Sequence, residues 1–271
     1  MIRLDCENAG VGRGGRSVLD GVSFRCEVPQ LVGIVGPNGA GKSTLMRAMT
    51  GLQEHSGSIA WNGQAVAGIP AGERARRIAY MPQERTVHWA MDCLDVVLLG
   101  RLPHRPAFVG ASASDLRHAR EAMERMDVLG FARRAFNALS GGEQARVLIA
   151  RMLAQQPDVY IADEPVNGLD PAHQIALMQI LQGVVAEGRS VFVSLHDLTL
   201  ASRWCDRLLL LHEGRLVADG TPQAVLDRTR LAEVYGIRAE GVVIDGRPAM
   251  VPSGLVGAGP ACWPAEGELP T

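Results

Sequence analysis

An α/β domain with a mostly parallel sheet is what this sequence predicts, on three observations. Apolar runs of strand length recur at 31–35, 159–162, 190–195 and 207–211. Stretches with helical spacing of apolar residues separate them, the alternation that joins parallel strands. The first run leads directly into a glycine-rich segment, Gly36-Pro37-Asn38-Gly39-Ala40-Gly41-Lys42-Ser43-Thr44, and then into Leu45, Met46, Met49 and Leu52 on one helical face. At 271 residues the chain can bury a substantial core as one large domain with subdomains.

Taken in order, residues 2–28 read as short antiparallel strands: Ile2, Leu4 and Cys6 alternate, and 10–15 is a glycine-rich turn. A hairpin at 58–66 extends this N-terminal β subdomain, because Asn62-Gly63 suits a tight turn with positive φ. Residues 78–81 form another short strand, ending at Pro82-Gln83. From about 90 to 156 the pattern is that of a helical subdomain. Leu116, Ala119, Met123, Met126 and Leu129 share one face there, a stripe that core packing explains. Asp170-Pro171 reads as an N-cap with proline at the first helical position. The domain is expected to span 1–251. Residues 252–271, rich in Gly, Ala and Pro, are expected to form a flexible tail.

Composition narrows the function classes. A formal net charge of −2 with scattered arginines gives no footprint for nucleic acid. Cys6, Cys26, Cys93, Cys205 and Cys262 form no C-x-x-C pair, and an odd count without a framework suggests reduced thiols in a cytosolic protein. No apolar run approaches the ~18–20 residues of a spanning helix, so any membrane connection is expected through a partner. Lys42 is the only lysine; every other fixed cation is arginine.

Strand, glycine loop and helix make G-x-x-x-x-G-K-[ST] a phosphate-binding loop. Glycines let successive backbone N–H groups turn inward, and the helix N-terminus adds partial positive charge. Lys42 can reach the β- and γ-phosphates of a nucleotide, and the Ser43 hydroxyl can ligand Mg²⁺. The strand at 159–162 ends in Asp163-Glu164. Adjacent acids at a buried strand end are costly unless a cation or a reaction needs them. Asp163 suits the Mg²⁺ side and Glu164 the general base that orients water. In Leu139-Ser140-Gly141-Gly142-Glu143, Ser140 and Glu143 have capping-box spacing. The two glycines leave that helix end open to an anion, although an ordinary capped helix reads the same way.

In this order the pieces resemble the nucleotide-binding subunit of an ATP-binding cassette (ABC) transporter, over residues 2 to about 252. The resemblance implies ATP and Mg²⁺ as cofactors and a P-loop ATPase core. It implies that Gln83 touches Mg²⁺ and the attacking water and senses a membrane partner. It further implies that His196 contacts the γ-phosphate and that Asp170, in Asn167-Gly168-Leu169-Asp170, crosses a dimer. Two copies would pack head to tail, with Ser140, Gly141 and Gly142 of one closing on ATP held by the other, so the active species is expected to be a homodimer. Two departures stand out. No aromatic lies between Met1 and Phe24 to stack on adenine, leaving Arg13 or Arg16 as the stacking candidate. The signature continues Gln144-Ala145-Arg146, where a glutamine more often precedes the arginine.

Val97-Leu98-Leu99-Gly100-Arg101-Leu102-Pro103-His104 resembles the cassettes that power import of iron(III)-siderophores, haem and cobalamin. So do Asp170-Pro171-Ala172-His173-Gln174 and Leu231-Ala232-Glu233-Val234-Tyr235-Gly236. That class implies transmembrane permease subunits, an external substrate-binding protein and a place on the cytoplasmic face of the bacterial inner membrane. Residues 84 to about 105 would carry the permease groove, with His88, Trp89 and Met91 as contacts, although Trp89 also suits the subdomain core. The alternatives are a zinc or manganese importer, a soluble ABC ATPase and a scaffold that binds ATP but barely hydrolyses it. Soluble members usually carry two cassettes or long insertions, and the intact Glu164 and His196 argue against a scaffold.

Overall fold

The computed structural model describes residues 3–84, 91–106 and 108–257. Strands β1 (Leu4–Arg13), β2 (Arg16–Cys26) and β3 (Leu31–Val35) precede helix α1 (Lys42–Met49). Then come β4 (Ser56–Trp61), β5 (Gln64–Ala65), α2 (Ala71–Arg77) and β6 (Ile78–Met81). A helical stretch holds α3 (Cys93–Leu98), a 3-10 segment at Leu99–His104, α4 (Ala113–Arg125) and α5 (Gly141–Ala154). Strand and helix then alternate through β7 (Val159–Ala162), α6 (Pro171–Ala186), β8 (Ser190–Ser194), α7 (Leu198–Trp204), β9 (Arg207–His212) and β10 (Arg215–Gly220). Short helices α8 (Pro222–Val225) and α9 (Arg228–Tyr235) lead to a final hairpin, β11 (Ile237–Ile244) and β12 (Arg247–Leu255).

The central sheet has the order β10-β9-β3-β8-β7-β6, parallel throughout except for β10 at one edge. Strands β3, β7 and β8 are buried along their whole length. That is why they read as unbroken apolar runs, the signature of a parallel sheet covered on both faces. Alternate side chains of β3 feed two cores. Leu31 and Val35 join the core with the helical subdomain and α6, while Val32 and Ile34 join the one with α1 and the N-terminal strands. In the second core Trp61 meets Phe192 edge to face, with ring centres 6.1 Å apart, and its indole N–H donates to Met49 O at 2.8 Å. Burying Phe192 alone contributes about 1.5–3 kcal/mol.

A second sheet, β2-β1-β4-β5, is wholly antiparallel. Residues 4–26 form two long strands broken by bulges, where short strands were expected, and the turn shrinks to Gly14-Gly15. Pairing with both β2 and β4 holds β1 extended through its glycines. The β4–β5 loop is Asn62-Gly63, with φ of 50° and 77° as the tight turn requires.

In the helical subdomain Ala119, Met123 and Met126 are buried, with Leu116 and Leu129 half-buried beside them. The segment 97–104 locks this subdomain onto α5. A Cβ on Gly100 would stand 2.2 Å from Arg151 O, so only glycine permits the approach. Arg101, 6% exposed, pairs with Asp115 at 3.1 Å and donates to Ala154 O at 2.8 Å. His104 Nε2 lies 2.7 Å from Gln155 O.

The hairpin β11–β12 was not foreseen, and β12 continues to Leu255, past the expected boundary at 251. The strand persists because it pairs with β11 and because the hairpin docks on α7. Thr199 Oγ1 donates to Met250 O at 3.0 Å, and Met250 N–H donates to Ser202 Oγ at 2.8 Å. The tail from 258 onward, and the expected contacts His88 and Trp89, lie outside the described residues. Met91 is half-buried against the first core. Among the described residues no helix is long and apolar enough to cross a membrane.

Candidate nucleotide site

Four neighbouring parallel strands deliver the chemistry at one edge of the sheet. The glycine loop follows β3, His196 follows β8, Asp163-Glu164 follows β7 and Gln83 follows β6. The carboxyl ends of parallel strands are where open α/β sheets bind ligands. A cavity of about 450 Å³ lies there, lined by Val18, residues 38–44, Gln83, Glu164 and His196. A larger, more open hollow of about 660 Å³, beside Asn8, Ser17 and His55, contains none of these groups. The groups, not the volume, identify the site.

The loop is shaped by close approach. A Cβ at Gly36 would stand 2.2 Å from Leu211 O. Gly41 is left-handed at φ 101° and precedes α1 without any side-chain cap. The first N–H groups of α1 are thus free of side-chain competitors for an anion. Gly214 N–H supports the loop from the β9–β10 turn, donating to Ala40 O at 3.2 Å. Lys42 is 6% exposed, and its Nζ donates to Gly36 O at 2.7 Å and Pro37 O at 3.0 Å. Burial pushes its pKa down, with Glu164 and Asp163 opposing part of that shift. Ser43 and Thr44 are half-buried in the first turn of α1.

Asp163 is fully buried, and its N–H donates to Met81 O at 2.9 Å, tying β7 to β6. Its Oδ1 accepts from Ser194 Oγ at 2.6 Å, while its Oδ2 is buried without a hydrogen-bond partner. Such an orphaned oxygen fits a cation or its bound water. Among the described residues no cluster of three or more His, Cys, Asp or Glu could hold a metal by itself. Mg²⁺ carried on nucleotide phosphates needs only one or two protein oxygens and keeps several waters, so Ser43 and Asp163 suit it.

Glu164 sits at φ 51°, a left-handed backbone that turns its side chain out of the strand direction and into the cavity. Its carboxylate accepts from Gln83 Nε2 at 2.8 Å, from Asn167 Nδ2 and from His196 Nε2. A carboxylate oxygen only accepts, so Nε2 of His196 carries the proton. The structure therefore gathers the expected Gln83, Glu164 and His196 into one hydrogen-bonded cluster.

Ser140 caps α5 through the full capping box. Its N–H and hydroxyl each donate to Glu143 Oε2 at 2.8 Å, holding that carboxyl below the usual range. Ser140 and Gly141 are exposed, and Gly142 packs against Gly168 O. None of the three lines the cavity of its own chain. Ala145 is fully buried and Arg146 bonds the end of α4, so the departure at 144–146 leaves the helix start intact. Asp170 caps α6 by accepting His173 N–H at 2.9 Å and pairs with His173 Nδ1 at 2.7 Å. The His173 amide first, then its ring, hold the Asp170 carboxyl low.

Arg13 ends β1, and its side chain falls outside the described structure. Three contributors escaped sequence reasoning. Val18 lines the cavity, Asn167 bonds Glu164, and Ser194 links Asp163 to the Glu164 backbone. Only Ser194 carried a signal, a polar residue closing the buried run Val191-Phe192-Val193.

The ABC transporter family profile matches residues 19–167. The chain is 41% identical over 236 residues to a protein of Rhodococcus jostii named hemin import ATP-binding protein HmuV, covering 87% of this chain and 80% of that one. It is 40% identical over 243 residues to the protein of that name from Pseudomonas aeruginosa, covering 88% and 93%. Among solved structures, an ABC transporter in an inward-facing conformation matches with TM-score 0.80 at 23% identity, covering 93% of this chain and 98% of that one. A dimeric bacterial ABC transporter cassette matches with TM-score 0.72 at 26% identity, covering 82% and 99%. Fold and site together define a P-loop ATPase of the cassette type. The chain belongs to the ABC transporter family, as one of its ATP-binding, ATP-hydrolysing subunits.

Proposed function

We propose that this chain energises haem uptake, working as a homodimer beneath a membrane permease on the cytoplasmic face of the bacterial inner membrane. The observation that carries the cargo assignment is 40–41% identity to proteins named for hemin import, across 80–93% of their length. An external substrate-binding protein would hand haem to the permease. The signature residues Ser140, Gly141 and Gly142, exposed and off their own cavity, suit a nucleotide held by the other copy. In that dimer Asp170 crosses the interface, and Arg13 stacks on adenine in place of an aromatic.

Lys42 gives up the Gly36 and Pro37 carbonyls for the β- and γ-phosphates, and residues 38–44 cradle them through backbone N–H groups. Ser43 and Asp163, with Gln83 beside them, would hold Mg²⁺, which when bound would neutralise phosphate charge. Glu164 orients the attacking water and accepts its proton. His196 turns from Glu164 toward the γ-phosphate, and Gln83 reports the permease.

A second reading, a siderophore or cobalamin importer, draws on the same motifs at 97–104 and 231–236. Deleting the gene and supplying iron only as haem, or only as a hydroxamate siderophore, separates the two. Growth should fail on haem alone and return with the wild-type gene but not with Glu164→Gln. Failure on the siderophore alone would transfer the cargo to that class.

A further inference from the structure

We propose that Ser194 is a positioning residue for the metal-nucleotide complex, its hydroxyl fixing both which oxygen of Asp163 stays available and how Glu164 leaves β7. Register places it there. Strands β7 and β8 pair through Ala162 and Val193, so Ser194 stands beside Asp163 just past the last pair. Its hydroxyl is fully buried and makes two bonds, accepting Glu164 N–H at 2.7 Å and donating to Asp163 Oδ1 at 2.6 Å.

The direction of these bonds is not free. The Glu164 amide can only donate, so the Ser194 oxygen must accept from it. The single hydroxyl proton then goes to Asp163 Oδ1, because a carboxylate accepts. Oδ1 is thereby committed to the protein, and Oδ2, buried and without a partner, is the oxygen left for a cation or its water. The same hydroxyl holds the one amide of Glu164 at the point where its backbone turns left-handed, at φ 51°. A non-glycine residue keeps that conformation only where its surroundings enforce it. One side chain thus sets the metal-side acid and the water-orienting acid in a fixed relation. An aliphatic residue in its place would remove both of these buried bonds at once.

This inference rests on assigning Asp163 to Mg²⁺, and the test keeps the two apart. The full-length protein would be compared with Ser194→Val, Ser194→Thr and Asp163→Asn. Two readouts are the Mg²⁺ concentration for half-maximal ATP hydrolysis and the rise in melting temperature on adding Mg²⁺ to ATP-loaded protein. A third is ATP affinity in EDTA. Ser194→Val should raise the Mg²⁺ midpoint about ten- to a hundredfold and shrink the Mg²⁺-dependent melting shift, as loss of an outer-shell partner does. Its ATP affinity in EDTA should stay within about twofold. Ser194→Thr, which keeps the hydroxyl, should stay near wild type. If valine fails to fold, Ser194→Ala provides the same comparison with less crowding. A wild-type Mg²⁺ midpoint in the valine or alanine variant, with Asp163→Asn shifted, overturns the role of Ser194. An unshifted Asp163→Asn overturns the Mg²⁺ assignment beneath it.

Discussion

The Gln83 side-chain amide donates to Glu164 Oε2 across 2.8 Å, joining the segment after β6 to the acid after β7. With Asn167 and His196 it brings donors to both oxygens of the Glu164 carboxylate. Glu164→Gln keeps the size of the side chain and removes its ability to take a proton. Phosphate release should fall by about 10²–10⁴-fold, the usual worth of a general base. Equilibrium ATP binding should stay within about twofold. Retained turnover would remove Glu164 from the base role.

Lys42 combines burial, a lowered pKa and the absence of any other lysine. A lowered pKa means the neutral, nucleophilic amine is populated at lower pH than in an ordinary lysine. A lysine-directed acylating reagent should therefore add to one side chain only, α-amine aside, and more readily as pH rises. Saturating ATP should suppress the adduct. Peptide mass spectrometry reads both outcomes, and an adduct indifferent to ATP would separate Lys42 from the phosphates.

Arg101 and Asp115 form a buried ion pair between the 3-10 segment and α4. Removing one partner of such a pair strands the other, so Arg101→Ala should cost about 3–5 kcal/mol in denaturant unfolding. The pair also has a pH signature. Hydrogen bonds from Ser112, then the Arg101 guanidinium, hold the Asp115 carboxyl down to about 2. A depressed acid stabilises the fold above its unfolded pKa of about 3.9 and loses that contribution as pH falls toward 2. The stability gap between wild type and Asp115→Asn should be full at pH 5 to 7 and narrow below pH 4.

Gly100 and Gly130 make a matched comparison in the same subdomain. A Cβ at Gly100 meets the Arg151 carbonyl at 2.2 Å, whereas one at Gly130 meets nothing within 4 Å. Gly100→Ala should therefore lower stability by about 1–3 kcal/mol or more through forced backbone movement. Gly130→Ala should stay within about 0.5 kcal/mol. Equal melting temperatures would place no weight on the approach of the 97–104 segment to α5.

The parts of the site legible in the sequence are those whose chemistry is local. The glycine loop, the capping box at Ser140 and Glu143, and the Asp-Glu strand end each show cause and effect within a few residues. Within the segment 97–104, which resembles importer cassettes, Gly100 and Arg101 also pack the helical subdomain together, a role that only the fold shows. Ser194 was harder, because its partners Asp163 and Glu164 follow a neighbouring strand about thirty residues away and only the fold brings them close, whereas Asn167 bonds Glu164 within a single local turn. The last hairpin was legible and missed. Asp245-Gly246, with φ of 50° and 74°, follows Val242, Val243 and Ile244, and Asp-Gly after such a run is a strong hairpin signal. The glycine- and proline-rich stretch that comes after it drew the reading toward a tail.

That hairpin sets the freedom of the residue that follows β8. Helix α7 starts at Leu198, is capped by Asp197 and is bonded in both directions to Met250. Leu198, Leu200, Ala201 and Trp204 bury its inner side. His196 is thus mounted on a braced axle, two residues ahead of a helix held on both sides. Its imidazole, which meets the Glu164 carboxylate, is left to swivel about its own two side-chain torsions while the backbone beneath it stays anchored.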